Sequence, residues 1–291
     1  MIITKLKGGL GNQLFQSAAG LRLAYLRKTQ LKVELSELKN PNVHTPRRYE
    51  MDSFRFSAEI ASPADMAAIA GSARGGIRTW FARRFEAKSG FPARERHFHF
   101  DPDVMSLPDG SCLDGYWQSE LYFADVRDRV RQEFSFRTQP IGRNAELISE
   151  IDSCSAVSLH VRRGDYVTDP SANAVHGVCT LDYYCKAIDY IKERVPNPVF
   201  FLFSDEPEWA KKNLEFCGPS IAVDHNGPES GCEDLRLMSR CAHHIIANSS
   251  FSWWGAWLNP NSNKIVVAPK KWFSDGLRDT SDLIPVNWVK L

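Results

Sequence analysis

The chain has 291 residues, 43% hydrophobic and 24% charged, the make-up of a soluble globular enzyme with room for two ordinary domains. Its 36 Lys and Arg face 35 Asp and Glu, so a net charge of +1 offers no bulk electrostatic case for nucleic acid. Seven cysteines (112, 154, 179, 185, 217, 232 and 241) are scattered without a Cys-x-x-Cys pair. That reads as reduced thiols in a cytoplasmic protein rather than disulfides or a zinc site.

Met1-Ile-Ile-Thr-Lys-Leu6 predicts an opening strand. No basic–apolar–small signal pattern precedes it, and no apolar run approaches the ~18–20 residues that span a bilayer, so the expected location is cytoplasmic. A Gly8-Gly9-Leu10-Gly11 turn leads to a helix from about Gln13, with Leu14, Ala18, Leu21 and Tyr25 on one buried face. Leu31–Leu35 completes a βαβ opening. Gly9 and Gly11, with Glu34 about twenty residues on, partly match a dinucleotide fingerprint, but Leu14 stands where the third glycine belongs. The better use of Asn12 and Gln13 is to hydrogen-bond a sugar.

Between Arg74 and Arg96 seven Lys or Arg interleave with Trp80, Phe81, Phe85 and Phe91. This stretch is either a surface helix with a basic face or a peripheral contact with an anionic membrane. Asp101-Pro102-Asp103 has the Asp-x-Asp form of manganese-dependent sugar transferases, yet no strand leads cleanly into it, and it reads as turn chemistry. From about 150 onward, strand-like runs at 156–161, 198–204, 220–224, 243–248 and 264–268 alternate with helical stretches near 181–194, 206–216, 232–241 and 250–258. That alternation predicts a parallel, doubly wound sheet. With the boundary near 140–152, the expected fold is α/β, with two Rossmann-like domains, 1–150 and 151–291, facing across a cleft.

The chemistry gathers at strand ends. His160-Val-Arg162-Arg163-Gly164-Asp165 follows the apolar run at 156–159, and paired guanidinium groups match phosphate oxygens. The bland alternative is an Arg163–Asp165 ion pair holding a turn at Gly164. The next strand ends in Ser204-Asp205-Glu206-Pro207, where Asp205 suits a ribose diol. A later strand ends in Asn248-Ser249-Ser250-Phe251 ahead of a helix carrying Trp253, Trp254 and Trp257, and the free amides of a helix N-terminus bind anions. Together these features point to a nucleotide diphosphate. His243 and His244 alternate across a strand and cannot face one metal, so no metal is expected.

Four segments carry a specific resemblance: Gly8–Gln16, Gly115-Tyr-Trp-Gln-Ser-Glu120, His160–Tyr166 and Asn248–Trp257. In this order they resemble the bacterial α-1,2-fucosyltransferases of glycosyltransferase family 11. The resemblance implies a GT-B fold and inverting transfer of L-fucose from GDP-β-L-fucose. GDP-fucose is then a co-substrate, and no cofactor or metal is implied. The implied acceptor is the 2-hydroxyl of a galactoside in a surface or lipid-linked oligosaccharide. By motif position it places Arg162 at the β-phosphate, His160 and Asp234 at the guanine, and Asp205 on the ribose side. Ser250, flanked by Ser249 and Phe251, falls at the phosphate, and Asn12 of the Gly9–Gly11 loop falls near the fucose and acceptor. Arg162, Arg163 and the helix N-terminus at Ser249–Ser250 would stabilise charge on departing GDP. Asp165 is the leading candidate for proton acceptor and His176 the second, since Pro170 occupies the position where one branch of relatives carries an acid. Glu120 and the 115–123 segment are candidates to line the acceptor side. The alternatives are a fucosyltransferase of another linkage and a catalytically silent GDP-sugar-binding protein.

Overall fold

The computed structural model describes residues 1–39, 47–75, 92–214 and 218–291, with backbone alone for 72–75. It divides into two compact units, Met1–Arg137 with Asp279–Leu283, and Thr138–Arg278 with Ile284–Leu291. The division precedes the expected 140–152, because the helix at Gly142–Asp152 buries Leu147 and Ile151 in the core of the second sheet.

The first unit contains β1 (Ile2–Lys5), α1 (Leu10–Arg27), β2 (Leu31–Glu34), β3 (Glu59–Ile60), α2 (Pro63–Gly75), β4 (Ala93–Arg94), β5 (Cys112–Asp114) and α3 (Arg127–Glu133). Its strands form a parallel sheet in the order β3-β2-β1-β5-β4. Helix α1 starts at Leu10, earlier than expected, and is buried almost all round as far as Ala24. Tyr25 therefore leaves the predicted buried face. It is 54% exposed in the last turn, with the Arg129 guanidinium 5.4 Å from its ring centroid. β3, β4 and β5 are too short to show a period-two pattern, which is why sequence periodicity misses them. Trp80, Phe81, Phe85 and Phe91, on which the membrane reading turns, lie outside the described residues. Among the described residues, no helix is long and apolar enough to cross a membrane.

The second unit contains α4 (Gly142–Asp152), β6 (Ser155–Val161), α5 (Gly164–Thr168), α6 (Pro170–His176), α7 (Leu181–Lys192), β7 (Pro198–Ser204), α8 (Pro207–Asn213), β8 (Ser220–Val223), α9 (Gly231–Arg240), β9 (His243–Ile245), α10 (Ser250–Leu258), β10 (Val266–Ala268) and β11 (Val289–Lys290). Its strands form a parallel sheet in the order β11-β10-β9-β6-β7-β8. Alternate residues face opposite cores. Val157, Leu159, Phe200 and Leu202 pack with Tyr184, Ile188 and Ile191 of α7, while Ala156, Phe201 and Phe203 pack with α4 and α9. A parallel sheet covered on both faces explains why these strands read as near-continuous apolar runs. The six described cysteines carry no disulfide, and Cys217 lies outside the described residues.

Candidate active site

In an open α/β sheet, ligands sit beyond the carboxyl ends of the strands where the strand order reverses. In the second unit that point lies between β6 and β9, adjacent in the sheet with their connections running to opposite sides. Residues 162–165 leave β6 there, and Asn248–Ser250 follow β9. In the first unit the reversal lies between β1 and β5, whose ends carry Lys7–Asn12 and Gly115–Gln118.

The two adjacent arginines part company. Arg162 Nη2 donates to Asp165 Oδ1 at 2.7 Å, and Nη1 lies 3.0 Å from Asp205 Oδ2. Burial lowers the pKa of His160 and of His176, and the Arg162 charge adds to both, as the smaller cause. Arg163 turns toward α8 instead. Its Nε donates to Glu206 Oε2 at 3.0 Å, and its guanidinium lies 3.8 Å from the Trp209 ring centroid. The expected alternative pair, Arg163 with Asp165, is thus replaced by Arg162–Asp165 and Arg163–Glu206. The cause is Asp205, which takes the Arg163 backbone N–H at 2.9 Å and fixes the turn. Gly164 is required by that close approach, since a Cβ there would stand 2.5 Å from Asp205 Oδ2.

His160 is buried on the α4/α9 face of β6, with the Phe251 ring 5.8 Å away. Burial, with the Arg162 charge adding, pushes its pKa down to about 3, so the imidazole is neutral. Its Nδ1 is buried with no hydrogen-bond partner among the described residues, a polar atom fit for a polar ligand. Asp234 lies in the first turn of α9, the helix that packs on this same face. Burial raises its carboxyl to about 7, although Asn226 donates to Oδ1 at 2.8 Å and works the other way.

Ser249 caps α10, its hydroxyl accepting from Phe251 N at 3.3 Å, and Ser250 opens the helix. Asn248 is the brace behind them. Its side-chain amide donates toward His176 O, Gly177 O and Trp272 O at 3.0–3.3 Å, tying the start of α10 to two loops. Sequence reading missed the Tyr166–His176 stack, in which the rings are nearly coplanar in tilt (2°) with centroids 4.5 Å apart. Burial, then the Arg278 charge, lowers the His176 pKa. His243 and His244 are both structural. His244 lies 2.8 Å from Ser158 Oγ and 2.9 Å from Asn259 Nδ2, and His243 Nδ1 accepts from Ile265 N at 3.0 Å.

In the first unit Asn12 Oδ1 accepts from Gln118 Nε2 at 2.7 Å, joining the two loops at the reversal point. Gln13 does not serve a sugar. It is fully buried, its amide donating to Gly8 O and Arg48 O and accepting from Glu50 N. Gln16 holds the loop likewise, through Lys7 N and O. The glycine-loop glutamines therefore act as scaffold, tying the backbone at Lys7, Gly8, Arg48 and Glu50 together. Gly9 caps α1, and Gly11 is buried inside it. Asp101 and Asp103 share the Arg96 guanidinium at 2.6–2.8 Å, and Asp101 caps a 3₁₀ turn at Pro102–Ser106.

The family model for Glycosyl transferase family 11 matches residues 96–291. An Escherichia coli protein named alpha-1,2-colitosyltransferase is 34% identical, the match covering 100% of this chain and 99% of that protein. The Escherichia coli O-antigen biosynthesis glycosyltransferase WbnK is 31% identical over 98% of this chain and 99% of its own. Among solved structures, NodZ alpha-1,6-fucosyltransferase soaked with GDP-fucose is similar with a TM-score of 0.51 and 16% identity, covering 89% of this chain and 92% of that one. This last is a likeness of fold.

Proposed function

The chain belongs to glycosyltransferase family 11, and from that premise we propose that it transfers L-fucose from GDP-β-L-fucose to the 2-hydroxyl of a galactoside. The transfer inverts the anomeric carbon, gives an α-1,2 linkage on a surface or lipid-linked oligosaccharide, and uses no metal. The observation that carries this reading is that Arg162, after β6, and the N-terminus of α10, after β9, stand at the same strand-order reversal.

Departing GDP gains negative charge as the glycosidic bond breaks, and fixed donors aimed at it lower the barrier without reorganising. Arg162 has donors beyond the two that hold Asp165 and Asp205, because a guanidinium carries five N–H groups. The start of α10, at Ser249 and Ser250, adds the positive end of a helix dipole. Asp165 and Asp205 fit the task of orienting Arg162. Arg163 serves the same turn from outside, through Glu206 and Trp209. His160, Phe251 and Asp234 share one face of the sheet and suit a guanine: a neutral imidazole, an aromatic ring and a carboxyl that can accept from N1–H and N2–H. With Asp165, the leading candidate proton acceptor, engaged by Arg162, His176 is the second: burial holds it neutral, though it lowers its basicity.

A colitosyl donor is the second reading, favoured by the 34% identity to the colitosyltransferase. Colitose is fucose without its 3-hydroxyl, so the GDP-binding residues serve either sugar. The test is a transfer assay with GDP-fucose and GDP-colitose against β-galactosides, with and without EDTA, reading the linkage by NMR. An α-1,2-fucosylated product that survives EDTA supports the first reading. A strong preference for GDP-colitose moves the weight to the second, and GDP binding without transfer or hydrolysis overturns both.

A further inference from the structure

Three pieces of the second unit meet beyond the carboxyl end of its edge strand β8: the loop at 224–227, the first turn of α4 and the first turn of α9. Asn226 joins them. Its Nδ2 donates to Asp234 Oδ1 at 2.8 Å and to Asn144 Oδ1 at 3.0 Å, and its Oδ1 accepts from Asn144 Nδ2 at 3.0 Å. The two amides therefore face each other and use both ends of each side chain. His225 Nε2 lies 2.9 Å from Asn144 Oδ1 and meets the pair from the exposed side. At the start of the loop, Lys211 Nζ holds Asp224 Oδ2 at 2.6 Å.

A reciprocal amide pair can be built two ways round, with nitrogen and oxygen exchanged in both residues together. The carboxylate decides between them. An ionised oxygen only accepts, so Asp234 requires the nitrogen of Asn226, and Asn144 follows. The charged groups nearby do not share this task. Burial and the Glu233 charge both favour the protonated carboxyl, and the Asn226 bond opposes them. Arg236 is engaged by Glu233 at 2.9 and 3.1 Å and by Thr138 O at 2.7 Å. Arg143 pairs with Glu146 and Glu150, Lys211 with Glu208 and Asp224, and His225 bonds Asn144 rather than Asp234. His160, on the strand behind, is neutral. Among the described residues, Asn226 is thus the one donor to the Asp234 carboxyl, and it takes Oδ1 and leaves Oδ2 to a ligand. Each oxygen of an ionised carboxylate has two acceptor positions, so Oδ1 keeps a second one as well. Two adjacent N–H groups on a flat base need both oxygens in one plane, and the amide sets that plane.

We propose that Asn226, locked by Asn144, is the positioning residue of the donor-base site: it turns the Asp234 carboxylate to receive the paired N–H groups of a guanine-type base. The proposal rests on the guanine contact read above and deepens it.

The experiment titrates the full chain with GDP-fucose, without acceptor, from pH 6 to 9, and follows Tm in parallel. Asn226→Ala removes the donor that favours the ionised carboxyl. It is expected to move the half-rise of affinity up by about one pH unit and to weaken binding about five- to tenfold at pH 6–7, the scale of one hydrogen bond to a charged group. Asn144→Ala leaves the Asp234 bond but lets the amide turn, and gives a smaller change in the same direction. Added to Asp234→Ala, Asn226→Ala costs no further affinity. An amide that only braced the loop would lower Tm, leave the half-rise in place and cost the same with or without Asp234. An unmoved half-rise in Asn226→Ala, or an equal loss on top of Asp234→Ala, therefore overturns the proposal. If Asn226→Ala does not fold, an unmoved half-rise in Asn144→Ala overturns it in the same way. Undiminished affinity in Asp234→Ala refutes the guanine contact itself, and the positioning role falls with it. The outcome does not depend on whether transfer to any acceptor is observed, because only donor binding is read.

Discussion

On the proposed guanine contact, the buried Asp234 carboxyl makes donor binding depend on pH. Burial sets its pKa near about 7 against an ordinary 3.8, the Glu233 charge reinforcing and the Asn226 bond opposing. The folded protein therefore binds one more proton here than the unfolded chain does between about pH 4 and 7. The stabilisation belongs to the protonated form. It is complete below the unfolded pKa and is lost as pH rises through the folded one. Roughly three pKa units at about 1.4 kcal/mol each set an upper bound of about 4 kcal/mol on that loss. Under the proposed contact, donor binding runs the other way, because guanine N1–H and N2–H would bond the carboxylate. About one chain in ten is ionised at pH 6 and about nine in ten at pH 8, so affinity should rise about tenfold between them. The assay is calorimetry with GDP-fucose and no acceptor, since its esterified diphosphate does not titrate in this window. Wild type should bind tighter at pH 8 and release a proton at pH 6. Asp234→Asn should bind more weakly with a flat profile, and should lose the fall in Tm that wild type shows from pH 5 to 8. A flat wild-type profile with undiminished affinity would refute the reasoning.

Outcomes are expected for four further variants. Arg162→Ala should cut kcat/KM by about 10²–10³, the usual effect of removing one fixed donor to a developing charge, whereas Arg163→Lys should act mainly through stability by losing the Trp209 stack. Full transfer activity in Arg162→Ala would remove the leaving-group role. Gly164→Ala should push Asp205 away from Arg162 and cost about 1–3 kcal/mol in urea unfolding, and an unchanged midpoint would mean that the turn shifts freely. Gln13→Met should remove the three part-buried hydrogen bonds to Gly8 O, Arg48 O and Glu50 N, lowering stability by about 0.5–1.5 kcal/mol for each. A stability equal to wild type would return Gln13 to the surface chemistry first expected of it.

The second sheet was legible in the sequence because its strands are long enough to show themselves. Ser155–Val161 and Pro198–Ser204 are apolar runs between turn residues, and chemistry placed at their ends follows from the chain direction alone. The first unit was half legible. β1, α1 and β2 were expected, but strands of two or three residues, such as β3, β4 and β5, carry no period. Nor does a local pattern reveal that Asp279–Leu283 returns to the first unit, where Asp282 takes the Phe100 N–H and the Ser119 hydroxyl.

By itself the sequence determined what is local: which residues alternate, where strands end, and which cations, hydroxyls and glycines stand there. The tertiary structure decided which of two neighbouring arginines meets Asp165 and Asp205. That choice depends on Asp205, Glu206 and Trp209, which reach Arg162 and Arg163 only after β7 has paired with β6. It likewise made Gln13 a scaffold, raised the Asp234 carboxyl and bent Trp117 into a left-handed turn. Burial, desolvation and hydrogen-bond partnership are set by residues distant in the chain, and composition and spacing do not contain them.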